Sequence, residues 1–162
     1  MRPPPICAII GGAQSSSVRN DEENIVSMST WMIVEDEPDI HDMLLLMTHT
    51  LAHTGLAFIN GEEAMFWIDD YDLAPDRRTR PQMALIDVRL PGHIQGEAVS
   101  ARLRRSPTLC AIPIILMTAY HLPPDLEKQL LQQSSADRLL QKPLPHPQQL
   151  QALVTQLSAA RT

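Results

Sequence analysis

The sequence predicts a three-layer α/β/α domain built on a doubly wound, five-stranded parallel sheet. Five short, continuous apolar runs recur at 31–34, 56–59, 83–88, 112–117 and 138–140. Strands covered on both faces of a parallel sheet read as such runs, not as an in-out alternation. Segments with helical starts or helical period lie between and after them. A regular strand-helix alternation implies right-handed crossovers that place helices on both faces.

Residues 1–29 stand apart. A proline run, Gly11-Gly12 and Ser15-Ser16-Ser17 show no sustained period, which predicts a disordered or loosely docked tail, and Met28 is a candidate alternative start. From 30 to 160 the chain reads as one domain. The helix after the first strand opens at Pro38, where the missing N–H costs nothing. At ~100° per residue, Ile40, Leu44, Met47 and Leu51 share one face and form a core stripe. A second helix is expected over 61–68, with Phe66, Trp67 and Ile68 packing it on the sheet. The third and fourth helices are expected over 96–105 and 125–133. The last begins at Pro147 and repeats Leu150, Leu153, Val154 and Leu157 at i, i+3, i+4, i+7. Met43, Met47 and Met117 read as core or near-core filler.

Composition narrows the function classes. At 162 residues, 44% hydrophobic and 20% charged, the chain suits one ordinary globular domain. A net charge of -6 argues against a nucleic-acid binder that works by neutralising phosphates. Arg77, Arg78 and Arg80, and then Arg102, Arg104 and Arg105, read as solvated loop and helix surface. Cys7 and Cys110 lack CxxC spacing, so neither a disulfide framework nor a zinc site is expected. The run 6–10 is far short of the ~20 residues a bilayer span needs, and a soluble, cytoplasmic setting is the default expectation. His41, His49 and His53 fall on the wheel opposite the apolar stripe, as a solvated face.

The strand ends carry the chemistry. In a doubly wound sheet the loops leaving the carboxyl ends of the strands gather at one edge, where ligands bind. Strand one delivers Glu35 and Asp36 there, strand three Asp87, strand four Thr118, and strand five Lys142 ahead of Pro143. Acids at a helix start can serve as caps, a role that suits Glu37 and Asp39. Three converging carboxylates also repel one another, and a hard divalent cation with oxygen ligands, such as Mg²⁺, resolves that repulsion. With Lys142 and Thr118 added, the set has the parts of a phosphoryl-transfer site: a carboxylate nucleophile, a metal, and two groups to meet phosphoryl charge.

The ordered segments "VEDE", "LIDVRLPG", "ILMTA" and "LLQKPL" resemble the receiver domain of two-component response regulators over roughly residues 30–158. The resemblance implies a flavodoxin-like sheet with strand order 2-1-3-4-5. It implies Asp87 as the phosphoacceptor, served by a sensor histidine kinase or a histidine phosphotransfer protein. Asp36 and Asp87 would ligate Mg²⁺ directly, Glu35 through water, and the backbone carbonyl of Arg89 would complete the protein ligands. Thr118 and Lys142 would contact phosphoryl oxygens, and the Lys142–Pro143 bond would be cis. The resemblance implies a stand-alone protein-interaction switch or phosphorelay intermediate, not an enzyme, expected to have no DNA-binding domain and to act through an unknown downstream protein. The surface built from the fourth helix, fifth strand and fifth helix is the expected output face or homodimer contact.

Departures from the family pattern are specific. Leu139 stands three residues before the lysine, where many receivers have an aromatic ring that moves with the threonine. The "PGHIQGE" loop is one residue longer than the family's common spacing, and the resemblance implies that Arg89 and Tyr120 would flank the phosphoryl group and tune dephosphorylation by admitting or blocking water. Leu139 leaves open a degenerate receiver that binds partners without phosphorylation. A haloacid dehalogenase-type phosphatase shares the chemistry but wants a second acid two residues after its first-strand nucleophile, and Pro38 stands there.

Overall fold

The computed structural model describes residues 28–161. The tail expectation, including Cys7, lies outside these residues. Five strands and five helices alternate: β1 Thr30–Val34, α1 Pro38–Thr50, β2 Thr54–Phe58, α2 Gly61–Leu73, β3 Pro81–Asp87, α3 Gly96–Arg105, β4 Ile114–Thr118, α4 Pro124–Ser134, β5 Arg138–Gln141 and α5 Pro147–Ala159. All strand pairs are parallel, and the sheet order is β2-β1-β3-β4-β5. The flavodoxin-like three-layer expectation therefore holds.

Side-chain alternation along the buried strands divides the interior into two cores. Met32, Val34, Ala84, Ile86, Ile114 and Leu116 face α2, α3 and α4, where they meet Ala64, Ile68, Val99 and Leu103. Trp31, Ile33, Met83, Leu85, Ile115 and Met117 face α1 and α5, where they meet Leu44, Met47, Leu150 and Val154. Continuous apolar runs are what this geometry demands, since each fully buried side chain of this size contributes about 1.5–3 kcal/mol.

Several ends move from their expected places. Helix α2 runs five residues past 68, because Tyr71 is buried, stacks on Trp67 at 4.9 Å, and donates its hydroxyl to the Asp76 carbonyl at 2.7 Å. Asn60 caps its start by accepting the Glu63 N–H at 2.8 Å. Phe66 is 76% exposed and Met43 42% exposed, so neither packs in the core as expected. Both point away from the buried face of their helices, a consequence of contiguous apolar residues at a 3.6-residue period.

Polar side chains supply further corrections. His53 does not face solvent. It follows α1, stacks on Trp31 at 4.8 Å, and bridges Ser29 Oγ and Gln151 Oε1 at 2.7 Å each. Arg102 and Arg104 are likewise not solvated surface. Arg102 joins α3 to α2 through Asp69 and Asp72, and Arg104 binds Asp137 and the carbonyls of Cys110, Ile112 and Ser135. Their long stems cross helix interfaces to reach acceptors that a helix wheel cannot display.

Candidate functional site

The order 2-1-3-4-5 makes β1 and β3 neighbours whose following helices lie on opposite faces, so a crevice opens at their carboxyl ends. Backbone bonds continue the ladder past the strand ends and fix the site residues in register. Glu35 N–H donates to the Phe58 carbonyl at 3.0 Å, Val88 N–H to Met117 at 2.8 Å, and Lys142 N–H to Thr118 at 2.8 Å. Glu35, Asp87 and Thr118 are buried, while Asp36 is exposed at the rim.

All the predicted side chains but Arg89's meet here. One oxygen from each of Glu35, Asp36 and Asp87 lies within 4.8 Å of the others. The Lys142 ammonium donates to Glu35 Oε2 at 2.7 Å and stands 3.5 Å from Asp87 Oδ1. Glu35 Oε1 accepts the Glu37 N–H at 3.1 Å, so this carboxylate is held at both oxygens. Thr118 Oγ1 accepts the Tyr120 N–H at 3.1 Å. The Arg89 side chain is exposed, and its backbone N–H donates to Asp87. The Lys142–Pro143 peptide is cis, as the resemblance implied.

Electrostatics sets the site's resting state. Burial, and then the charge of Glu35, push the Asp87 carboxyl from an ordinary 3.8 up to about 6, against the opposing pull of Lys142 and the Arg89 N–H. Burial works to lower the Lys142 value, but the hydrogen bond to Glu35 and the charge of Asp87 outweigh it, and the net shift is upward. Three carboxylates against one ammonium leave a net charge of about −2 when all are ionised. An all-oxygen donor set with that excess fits a hard divalent cation such as Mg²⁺.

The loop after β3 explains itself only in three dimensions. Gln95 folds back, accepting the Leu90 N–H at 3.1 Å and donating to the Leu90 carbonyl at 2.8 Å. Glu62 on α2 accepts the N–H groups of His93 and Ile94 at 2.7 and 3.2 Å. The extra loop residue is thus pinned from two sides, with Gly92 in the left-handed region at φ 87°. Gly96 starts α3 pressed against β3: a Cβ there would sit 2.0 Å from the Asp87 carbonyl oxygen. Sequence reasoning missed Gln95, Glu62 and Glu97. Acids near helix starts read as ordinary dipole partners, and only the chain's return past α2 reveals other duties. Leu139 is half-buried on the core shared by α2, α3 and α4.

An aspartate, a lysine and a threonine thus stand at the strand ends of a doubly wound α/β domain. The chain matches the response regulator receiver domain over residues 31–155 and belongs to that family. It is similar in structure to the signal receiver domain of a signal transduction histidine kinase from Syntrophus aciditrophicus, at 26% identity and TM-score 0.64, covering 82% of this chain and 91% of that one. The receiver domain of sensor histidine kinase PA1611 from Pseudomonas aeruginosa PAO1, solved with a magnesium ion coordinated in its active-site cleft, shares the fold at 23% identity and TM-score 0.66, covering 82% and 98%. Chemotaxis protein CheY4 of Vibrio cholerae shares it at 21% and 0.65, covering 80% and 98%. No curated protein matches the chain. No helix among the described residues is long and apolar enough to cross a membrane.

Proposed function

We propose that this receiver accepts a phosphoryl group on Asp87 from a phosphohistidine of a sensor kinase or phosphotransfer protein, and that the modified domain signals through protein contacts. The observation that carries the reading is the placement of the Lys142 ammonium between Glu35 and Asp87 in a cluster of three carboxylates at the strand ends. A structural salt bridge needs one carboxylate for one ammonium. This site holds two more, one of them half-neutralised near pH 6 by its surroundings, as suits a site meant to gain a cation and a phosphoryl group.

Each residue then has a task. An Asp87 carboxylate oxygen attacks phosphorus, the P–N bond to imidazole breaks, and the bonding electrons leave with the imidazole nitrogen. Attack requires the ionised carboxylate, which predominates above about pH 6. Asp36, Asp87 and the Arg89 carbonyl would hold Mg²⁺, with Glu35 acting through water, and the ion would supply positive charge to meet that of the transferred group. The Lys142 ammonium is near enough to Asp87 to turn one N–H to a phosphoryl oxygen while another stays on Glu35. The Thr118 hydroxyl donates to a second phosphoryl oxygen. The output contact is assigned to α4, β5 and α5, which border Thr118 and Lys142 and expose Leu126.

Incubation with acetyl phosphate and Mg²⁺, followed by peptide mass spectrometry, tests the reading. A phosphoryl adduct on Asp87 that disappears in Asp87→Asn and under chelation is the expected result. Absence of any adduct, with acetyl phosphate or a cognate kinase, refutes it and favours a binding module that Leu139 already suits.

A further inference from the structure

The Oε2 atom of Glu97 is buried and has no hydrogen-bond partner among the described residues. Buried acceptors are nearly always satisfied, so this oxygen calls for a donor, either water in the adjoining cavity or a side chain that moves into it. Glu97 is the second residue of α3 and lines a cavity of about 390 Å³ between α3 and α4, shared with Val88, Arg89, Thr118, Tyr120 and Leu130.

Four donors border that cavity. The Gln95 amide is engaged by the carbonyls of Leu90 and Gly92. The Arg89 side chain is exposed to solvent, and a phosphoryl anion on Asp87 is the stronger attraction for its guanidinium and for the Thr118 hydroxyl. Tyr120 remains: it is 62% exposed, and its backbone N–H is held by Thr118 Oγ1 at 3.1 Å. The cavity on its other side, of about 440 Å³, is walled by Leu122, Pro124 and Leu139 and presents no buried unpaired acceptor among the described residues.

Thr118 therefore couples the loop to Asp87. Swinging its oxygen toward a phosphoryl group on Asp87 would lengthen the bond it now accepts from the Tyr120 N–H. We propose that phosphorylation releases Tyr120 from Thr118, and that the ring folds into the α3–α4 cavity with its phenol donating to Glu97 Oε2. Closure buries an exposed aromatic ring and supplies the missing donor. The β4–α4 loop would thus be latched to α3 by two side chains of this chain, with no aromatic residue needed at position 139. This inference rests on Asp87 being the phosphoacceptor.

Nitration by tetranitromethane tests it. The chain has two tyrosines, and Tyr71 is buried with its hydroxyl bonded to Asp76, so the reaction reads Tyr120 and Tyr71 serves as an internal control. Loading with acetyl phosphate and Mg²⁺ is expected to slow Tyr120 nitration roughly fivefold, the effect of one net hydrogen bond. Glu97→Gln keeps an acceptor and should keep the protection, whereas Glu97→Leu should lose it with the Asp87 adduct still formed. An unchanged nitration rate in protein whose adduct is confirmed by mass, or protection that persists in Glu97→Leu, overturns the closure and leaves the phosphoacceptor reading intact. Failure to form the adduct at all overturns both.

Discussion

Replacing Asp87 by Asn should make the metal-free protein more stable at neutral pH. The Asp87 carboxyl is raised from 3.8 to about 6 by burial and by Glu35, more than Lys142 and the Arg89 N–H can offset. A group that holds its proton more tightly when folded stabilises the native state while protonated. As pH climbs from about 4 to about 6, the unfolded chain gives up that proton first, and native stability falls; above about 6 the loss is complete. About two units at 1.36 kcal/mol each sets a ceiling of about 3 kcal/mol. Asn keeps the shape and an acceptor for Lys142 but brings two donors of its own, which reduces the expected gain to about 1–3 kcal/mol. For a domain of this length that is a rise of roughly 3–10 °C in Tm. The assay is differential scanning calorimetry in EDTA at pH 7.5 and again at pH 4, where the gap should narrow because Asp87 is then largely neutral in the folded protein. Added Mg²⁺ should raise the wild-type Tm by mass action and leave the variant nearly unmoved. An Asp87→Asn variant that melts at or below wild type in EDTA at pH 7.5, or a gap that does not change with pH, refutes the claim that burying the Asp87 carboxylate beside Glu35 strains this site.

Three further perturbations probe the scaffold. Lys142→Met leaves Glu35, which is fully buried, without its 2.7 Å partner, and should cost about 3–5 kcal/mol in urea denaturation; a loss under about 1 kcal/mol would mean that the Glu37 N–H alone satisfies it. Gly96→Ala places a methyl 2.0 Å from the Asp87 carbonyl oxygen and 3.0 Å from the Val88 Cα, both backbone atoms. It should cost about 3 kcal/mol or more and slow Asp87 phosphorylation, read by urea titration and by adduct formation rate. Arg104→Met removes donors to three carbonyls and to Asp137 and should lower stability by about 3 kcal/mol or more, whereas Arg105→Met, on the exposed side of the same helix, should change it by less than about 0.5 kcal/mol.

The residues that sequence reasoning placed well are those whose position depends on the strand period and the chain's direction. Asp87 and Thr118 end their strands, Glu35 and Asp36 follow β1, and Lys142 follows β5, so a correct sheet order brings them together without any knowledge of loops. The apolar runs were legible for the same reason, as each is buried on both faces. Errors gathered where a side chain's environment comes from an element distant in sequence. Arg104 looked solvated because its acceptors at Cys110, Ile112, Ser135 and Asp137 belong to other segments. His53 looked solvated because Gln151, its partner on α5, is 98 residues away. Helix α2 was cut short because Asp69, Asp70 and Asp72 interrupt its apolar period, although Tyr71 and the Arg102 ion pairs fasten that last turn.

The same distinction separates the two acidic clusters near the site. Glu35 and Asp36 stand at a strand end, and their convergence with Asp87 follows from topology. Glu62 and Glu97 stand in helix first turns, where an acid costs nothing and signals nothing. One nevertheless anchors the lengthened β3–α3 loop through two backbone N–H groups, and the other holds a buried oxygen without a donor. A helix-start acid earns a function only from what the neighbouring helix or loop presents to it. The loop insertion therefore need not weaken the site, since an acid on α2 binds the backbone N–H groups that the lengthened segment offers.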